Sequence, residues 1–134
     1  MSIIIASGPV IVRNRQVLLV KHGDDFWKFC GGKVDYINGE GLISAAQREA
    51  KEELGIDIKI INPEPFLFYV KKDNGDGLVD IILVHYLTDF IGDIIPGGDI
   101  EQWAWIDLGS LDKEDLAPNI IPTLKYFKII WRFL

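Results

Sequence analysis

A chain of 134 residues with 49% hydrophobic and 25% charged residues is typical of a folded globular protein, and we expect a single domain over residues 1–134. The net charge of −6 argues against stable binding to nucleic acid or to an anionic membrane, and the apolar run at residues 3–5 is too short to span a bilayer. The single cysteine, Cys30, excludes an internal disulfide and a cysteine-based zinc site. With no secretory pattern at residues 1–2, a cytoplasmic location is expected.

The first third of the chain predicts strands. Residues 9–12 and 17–20 are apolar runs separated by the polar residues 13–16, which is the pattern of a β-hairpin. Residues 26–29 alternate apolar and polar side chains and end at Gly31 and Gly32, as a short strand before a loop would. A helix over residues 45–54 follows, with Ser44 as its N-cap and Gly55 as its C-terminal stop.

The second half predicts strands and a closing helix. Residues 56–61 are β-branched, and the turn sequence at residues 73–77 predicts that 66–71 and 78–88 pair as a long hairpin. Residues 92–99 favour an irregular loop, 102–106 a strand and 120–133 an amphipathic helix. This order predicts an α+β fold, an α/β/α sandwich with a mixed β-sheet.

The predicted first helix has an edge crowded with acidic side chains. Glu49, Glu52 and Glu53 fall within an arc of roughly 100° when residues advance by about 100° each. A solvated face is the ordinary interpretation of a Glu-rich helix, but only Arg48 offers a helical counter-charge, so the cluster indicates a missing cation. Oxygen ligands select a hard ion, Mg²⁺ or Mn²⁺.

Residues 31–56 resemble the signature of the Nudix hydrolase family, including its MutT-like members. The family box is written G-x5-E-x7-R-E-U-x-E-E-x-G-U, where U is a bulky aliphatic residue. Here Glu40 is followed by seven residues and then by REAKEELGI at 48–56, with Ala50 small at the first U position. Gly32 and Glu40 are separated by seven residues rather than five, so the loop carries a two-residue insertion. Cys30 stands where proline is usual, and we interpret it as a buried apolar group.

The resemblance implies roles for the residues of the box. Glu52 and Glu53 would ligate metal, Glu49 would be a third ligand or the base that activates water, and a glycine carbonyl would add a further ligand. The implied sets are catalytic Glu49, Glu52, Glu53 and Arg48, metal-binding Glu49, Glu52, Glu53 and Gly32, and structural Glu40 and Gly55.

The sequence alone does not decide which residue acts as the general base. Some family members take it from a later loop, which here is residues 91–101. Asp93, Asp99 and Glu101 are candidates there, although each is more simply a surface acid. Glu101 is the preferred alternative base because it immediately precedes a predicted strand.

Substrate contacts are less well specified by the sequence. Lys21, His22 and Lys33 are candidate phosphate contacts, with His22 equally acceptable as a surface histidine, and His85 is expected to be a packed residue. Asn119 resembles an asparagine that reads guanine in MutT-like enzymes, but a helix cap is favoured. Four aromatic residues could stack a base but are expected in the core: Phe26, Trp27, Trp103 and Trp105.

The implied function is therefore hydrolysis of a small-molecule nucleotide with Mg²⁺ or Mn²⁺ as cofactor. The favoured reaction converts a nucleoside or deoxynucleoside triphosphate to the monophosphate and pyrophosphate. The alternatives are an ADP-ribose or other nucleotide-sugar pyrophosphatase, and a non-catalytic nucleotide-binding module of the same fold. A purely structural protein with a solvated acidic helix is the remaining class, and a homodimer is compatible with the resemblance.

Overall fold

The computed structural model of the chain describes residues 2–23 and 26–130. Within them, seven strands form one sheet in the order β4-β6-β1-β2-β7, with β3 also paired to β1 and β5 to β6. The strands are β1 Ile3–Arg13, β2 Gln16–Lys21, β3 Gly32–Lys33, β4 Asp57–Ile60, β5 Phe66–Asp73, β6 Leu78–Ile91 and β7 Gln102–Asp107. The pairing of β1 with β6 is parallel and the other pairings are antiparallel, so the sheet is mixed as predicted.

Both predicted hairpins are present. In the first, Val12 pairs with Val17, and Asn14 and Arg15 make the turn with φ values of 51° and 64°. Two consecutive left-handed residues give the turn whose twist matches that of the flanking strands. In the second hairpin Asp73 pairs with Leu78. The local sequence therefore determines both strand reversals.

The centre of the sheet is a long parallel pairing that local sequence does not predict. Residues 3–11 of β1 lie beside residues 80–88 of β6. The other edge of β6 pairs with β5 over its first half and with β4 at its end. Residues 26–29, predicted as a strand, make only isolated bridges, from Lys28 to Val20 and from Trp27 to Leu116.

The helices start and end at different residues from those predicted. Helix α1 spans Leu42–Leu54 with Gly41 at its N-cap, so Ser44 lies inside the first turn and the N-cap prediction was wrong. Gly55 ends α1 in a left-handed conformation with φ of 70°, as expected of a C-terminal glycine. Helix α2 spans only Ile120–Tyr126, because Lys128 adopts a φ of 59° and turns the chain. Residues 131–133 of the predicted helix lie outside the described residues.

Each face of the sheet packs against one helix. Alternate side chains of a strand point to opposite faces, so Leu18 joins the apolar cluster under α1 while Leu19 joins the cluster under α2. Ala46, Ala50 and Leu54 of α1 are fully buried in the first cluster, and the small alanines allow α1 to approach the sheet closely. The fold is the predicted α/β/α sandwich. In the described part of the chain no helix is long and apolar enough to cross a membrane. The extent of the domain, residues 1–134, stays a prediction.

Candidate active site

A glycine pair holds two carboxylates of α1 against the sheet. The backbone N–H of Gly31 donates to Glu53 Oε1 at 3.1 Å. Gly32 pairs with Ser7 of β1, and a Cβ atom on Gly32 would lie 2.2 Å from Glu49 Oε2. Any larger residue at position 32 would therefore displace the Glu49 carboxylate.

Arg48 connects the acidic edge of α1 to the preceding loop. Its Nε and Nη2 donate to the two oxygens of Glu40 at 2.7 and 3.0 Å. Its Nη1 lies 3.2 Å from both Glu49 Oε2 and Glu52 Oε2, and Nη2 also donates to the Lys33 carbonyl at 3.0 Å. One guanidinium thus binds three carboxylates and a backbone carbonyl of β3, a geometry suited to its planar set of donors.

The segment between the glycine pair and α1 forms a closed loop. Residues Tyr36–Asn38 form a short 3₁₀ turn, and the N–H of Glu40 donates to the Asp35 carbonyl at 3.0 Å. The N–H of Asp35 in turn donates to Glu40 Oε1 at 2.9 Å. Because residues 35 and 40 are hydrogen-bonded to each other, residues 36–39 form an exposed turn between them, and Gly32 lies against Glu49. Whether this turn is an insertion relative to the family stays a prediction.

The three helix glutamates differ in exposure and in electrostatics. Glu49 and Glu53 are nearly enclosed, whereas the side chain of Glu52 is 58% exposed. Burial raises the pKa of Glu53, and burial likewise raises the pKa of Glu49 against the opposing effect of Arg48. Arg48 has the opposite effect on the loop, since its hydrogen bonds lower the pKa of Glu40 to about 2.

The donor set is chemically suited to a hard divalent cation. Carboxylate oxygens and a glycine carbonyl are the ligands that Mg²⁺ accepts, and it commonly uses one or two carboxylates with several waters. In residues 2–23 and 26–130, however, no three acidic, histidine or cysteine side chains converge closely enough to share one ion. The expected three-carboxylate cluster is thus not assembled in this structure, where Arg48 lies between Glu49 and Glu52. Because Gly32 has no side chain, the Glu49 carboxylate lies close to its backbone. The residues therefore fit a metal site with fewer than three carboxylate ligands, completed by waters.

His22 lies on the other side of Glu53. Its Nε2 is 3.5 Å from Glu53 Oε2. It also lines a polar depression of about 460 Å³ with the segment 98–101, which contains the candidate bases Asp99 and Glu101. The N–H of Glu101 donates to the Lys21 carbonyl at 3.0 Å. The structure therefore brings two of the three loop acids near His22, while Asp93 lies outside this depression.

A second, mostly apolar cavity of about 380 Å³ begins at the glycine pair. Its walls come from β1, β5, β6, the segment before β3 and the residues before α2, and they include Ser7, Phe26, Lys28, Phe29, Gly31, Lys72, Leu83, His85, Pro118 and Asn119. Gly31 belongs both to this wall and to the contact with Glu53. An apolar cavity with a few polar groups at its ends is typical of a small-molecule site, and here it opens beside the acidic helix.

The other predicted substrate residues are spread over the surface. The Lys21 ammonium lies 4.6 Å from the centre of the Trp27 ring, and Lys33 is exposed on β3. Trp27 is a core residue as expected, and Trp105 packs against the core. The expectation was wrong for Phe26, which lines the cavity and is 39% exposed, and for Trp103, which is exposed.

Lys28 is a cavity residue that the sequence analysis missed. It lines the cavity, and its charge lowers the pKa of Glu53 in opposition to burial. The strand-like alternation of residues 26–29, which places Lys28 and Phe26 on the same side, was the available signal.

Asn119 does not use its side chain as a helix cap, so the favoured interpretation was wrong. It occupies the N-cap position of α2 but makes no side-chain cap hydrogen bond. Its Nδ2 instead lies 3.1 Å from Nε2 of His85, and both residues line the cavity. His85 is buried as expected, and burial lowers its pKa to about 4.

Cys30 is 3% exposed, which agrees with its interpretation as a buried apolar group. Burial, with the nearby charge of Glu53, raises the pKa of its thiol well above the usual value. A thiol kept protonated in this way is a poor nucleophile.

Comparison with known proteins identifies relatives of this chain in sequence and in fold. The family model described as NUDIX domain matches residues 5–127. A curated protein named nucleoside triphosphatase NudI, from Enterobacter sp. (strain 638), is 28% identical over 121 residues, covering 81% of this chain and 84% of its own. The crystal structure of a MutT NUDIX hydrolase from Burkholderia pseudomallei superposes with a TM-score of 0.74 at 27% identity, covering 93% of this chain and 98% of that one. The solution structure of the E. coli ORF135 protein has a TM-score of 0.70 at 26% identity, covering 96% and 91%.

Proposed function

The chain belongs to the NUDIX family and is a Nudix hydrolase acting on small-molecule nucleotides, and on that premise we propose that it converts nucleoside triphosphates to monophosphates and pyrophosphate with Mg²⁺ or Mn²⁺. The observation that carries the proposal is the continuity of the apolar cavity with the acidic helix through Gly31. A base can occupy the cavity while the phosphates extend over the carboxylates. The relative named as a nucleoside triphosphatase supports the same substrate class.

The residues of the acidic edge are assigned complementary tasks. A subset of Glu49, Glu52, Glu53 and the Gly32 carbonyl, completed by waters, would hold the cation, which would supply charge neutralisation at the phosphates and a lowered pKa of bound water. Arg48 holds Glu49 and Glu52 in place through its two contacts at 3.2 Å. Gly31 fixes Glu53 through its backbone N–H. The base that accepts the proton of water remains either Glu49 or Glu101.

At the cavity end, the side chains bind the nucleoside. Phe26 and Phe29 offer ring faces for stacking, and Asn119 offers an amide at the inner wall. Lys28 lies at the boundary between the cavity and Glu53, where its charge favours a phosphate oxygen. Binding the base and the phosphates at the two ends would position the bond that is cleaved, which is the main contribution that such an enzyme makes.

The test is a product analysis with a panel of nucleotides. The protein is incubated with each nucleoside triphosphate and with ADP-ribose, in Mg²⁺, Mn²⁺ or EDTA. Metal-dependent release of a monophosphate and pyrophosphate supports the proposal. Release of AMP and ribose phosphate from ADP-ribose alone would replace it with the nucleotide-sugar activity, and binding without turnover would indicate a non-catalytic module.

A matched pair of variants ties the activity to the acidic helix. Glu53→Gln removes a charge at the end of the cavity and is expected to lower kcat by roughly 10³-fold or more while the fold is retained. Glu64→Gln makes the same chemical change at an exposed position in the loop between β4 and β5 and should leave kcat unchanged. Comparable activity in the two variants would refute the assignment of the site.

A further inference from the structure

His85 and Asn119 form a buried polar pair at the inner wall of the cavity. They are 34 residues apart in the chain, and they are 5% and 4% exposed. His85 Nδ1 lies 3.2 Å from the Gly8 carbonyl oxygen, and His85 Nε2 lies 3.1 Å from Asn119 Nδ2. The Phe29 ring, 4.7 Å from the imidazole between centroids, packs against the same histidine.

The chemistry of these contacts permits one orientation of the Asn119 amide. A carbonyl oxygen can only accept, so the proton of the neutral imidazole must be on Nδ1, facing Gly8. Nε2 then carries a lone pair and needs a donor, which only the NH₂ end of the amide can supply. The opposite amide orientation would place two acceptors 3.1 Å apart in a buried site, which is strongly unfavourable.

This orientation leaves the amide oxygen of Asn119 available to a ligand. Among the described residues no hydrogen bond to this oxygen is present, and the oxygen is not one of their buried side-chain atoms that lack a partner, so it is accessible from the cavity. The backbone of Asn119 is held separately, because its carbonyl accepts from the N–H of Thr123 at 3.1 Å and also from the Thr123 hydroxyl. The residue therefore has a fixed backbone, a fixed NH₂ group and one open acceptor.

We propose that His85 is a positioning residue that sets the base preference of the cavity, by fixing the Asn119 amide so that its oxygen faces the ligand. The cavity would then select a heterocycle that presents an exocyclic amine to that oxygen, and would reject one that presents an exocyclic carbonyl oxygen at the same position. This inference rests on the proposed function, because it takes a nucleotide base as the occupant of the cavity.

The kinetic test compares nucleotides whose bases carry an exocyclic amine or a carbonyl oxygen at the same ring position. Ratios of kcat/KM are measured for CTP against UTP and for ATP against ITP, with wild type, His85→Phe, His85→Gln and Asn119→Leu. In wild type at least one of these ratios should exceed unity by tenfold or more, about the factor that one hydrogen bond of ordinary strength supplies, and a ratio below unity would contradict the proposal. His85→Phe and Asn119→Leu should bring that ratio close to unity, and the change should appear mainly in KM.

Two comparisons separate positioning from simple loss of packing. His85→Gln supplies an acceptor oxygen to the NH₂ group of Asn119, so it should retain most of the preference that His85→Phe loses. The double variant His85→Phe/Asn119→Leu should show no further loss beyond either single change, because the two residues act through one contact. Additive losses, equal ratios in wild type, or a preference that survives in His85→Phe would each overturn the proposal.

A measurement on the wild-type protein alone tests the orientation without activity. The ¹⁵N resonances of the His85 imidazole at pH 7 should show the proton on Nδ1 and an unprotonated Nε2. A proton on Nε2 would overturn the inference even if every triphosphate is hydrolysed. If instead the tautomer is as described but no nucleotide is turned over, the proposed function fails, and the orientation is judged by whether CMP binds more tightly than UMP or AMP more tightly than IMP.

Discussion

The stability of the fold should depend on pH through His85. Burial lowers the pKa of this histidine from 6.5 to about 4 in the folded protein. Burial beside the Asn119 amide and the Phe29 ring opposes a positive charge on the imidazole, whereas the hydrogen bond to the Gly8 carbonyl favours it and only partly offsets the burial. Lys28 and Lys72 line the same cavity. We therefore expect the unfolded chain to take up a proton at a higher pH than the folded protein does.

The sign and size of the effect follow from proton linkage. A folded-state pKa below the unfolded value contributes stability that is fully present above pH 6.5 and is lost as the pH falls towards 4. Integrating between these two values gives a loss of about 2 kcal/mol between pH 7 and pH 5. The complete loss below pH 4 is about 3 kcal/mol. Glu49 and Glu53 act in the opposite direction, because their raised pKa values favour proton uptake by the folded state.

The assay is equilibrium unfolding in urea at pH 7 and pH 5, followed by tryptophan fluorescence, with wild type and His85→Gln. The variant keeps Glu49 and Glu53 but has no group at position 85 that titrates in this range. When the pH falls from 7 to 5, the free energy of unfolding of the wild type should decrease by about 2 kcal/mol more than that of the variant. Equal pH dependence in the two proteins would show that His85 is not held neutral by burial.

Three further outcomes are expected at the acidic edge. Gly32→Ala should change the free energy of unfolding by less than about 1 kcal/mol, because the new methyl meets only the flexible end of Glu49. It should nevertheless lower kcat at least about tenfold, because it displaces the Glu49 carboxylate. Gly41→Ala, where nothing lies within 4 Å of the new methyl, is the control in both the denaturation and the activity assays. Arg48→Gln should raise the pKa of Glu40 from about 2 towards 4.5, as followed by NMR titration of its side chain, and an unchanged pKa would contradict the assigned ion pair. EDTA should abolish turnover, and added metal should restore it. Mn²⁺ at a hundredfold excess over its Kd should raise the free energy of unfolding in urea by about 2.7 kcal/mol, and no change in stability would contradict metal binding by the folded protein.

Features of the fold that depend only on residues adjacent in the chain were predictable from the sequence. The hairpin turns at Asn14 and at residues 73–77 and the glycine stop at Gly55 require particular backbone conformations, and few residue types adopt them. The helix start was not predictable in the same way. Gly41 provides no side-chain cap, so α1 begins three residues before the predicted helix without the usual polar signal.

The acidic edge was also predictable in its residues but not in its contacts. The helical period places Glu49, Glu52 and Glu53 on one side of α1 whatever the rest of the chain does. Their differing burial, and the reach of Arg48 to Glu40, depend on where β3 and the loop before α1 lie. The sequence indicated a cluster with Arg48 as its one helical counter-charge, and in the structure Arg48 contacts Glu49 and Glu40 as well as Glu52.

By itself, the sequence determined most of the order of strands and helices, apart from residues 26–29 and β3, together with the box of acidic residues and the family, because these depend on period, turn chemistry and spacing along the chain. Only the tertiary structure decided that β1 lies parallel to β6, that the segment at 26–31 joins the cavity to Glu53, and that Asn119 meets His85 rather than capping its own helix. These contacts join residues far apart in the chain, and their geometry follows from packing on both faces of the sheet, which no local pattern encodes.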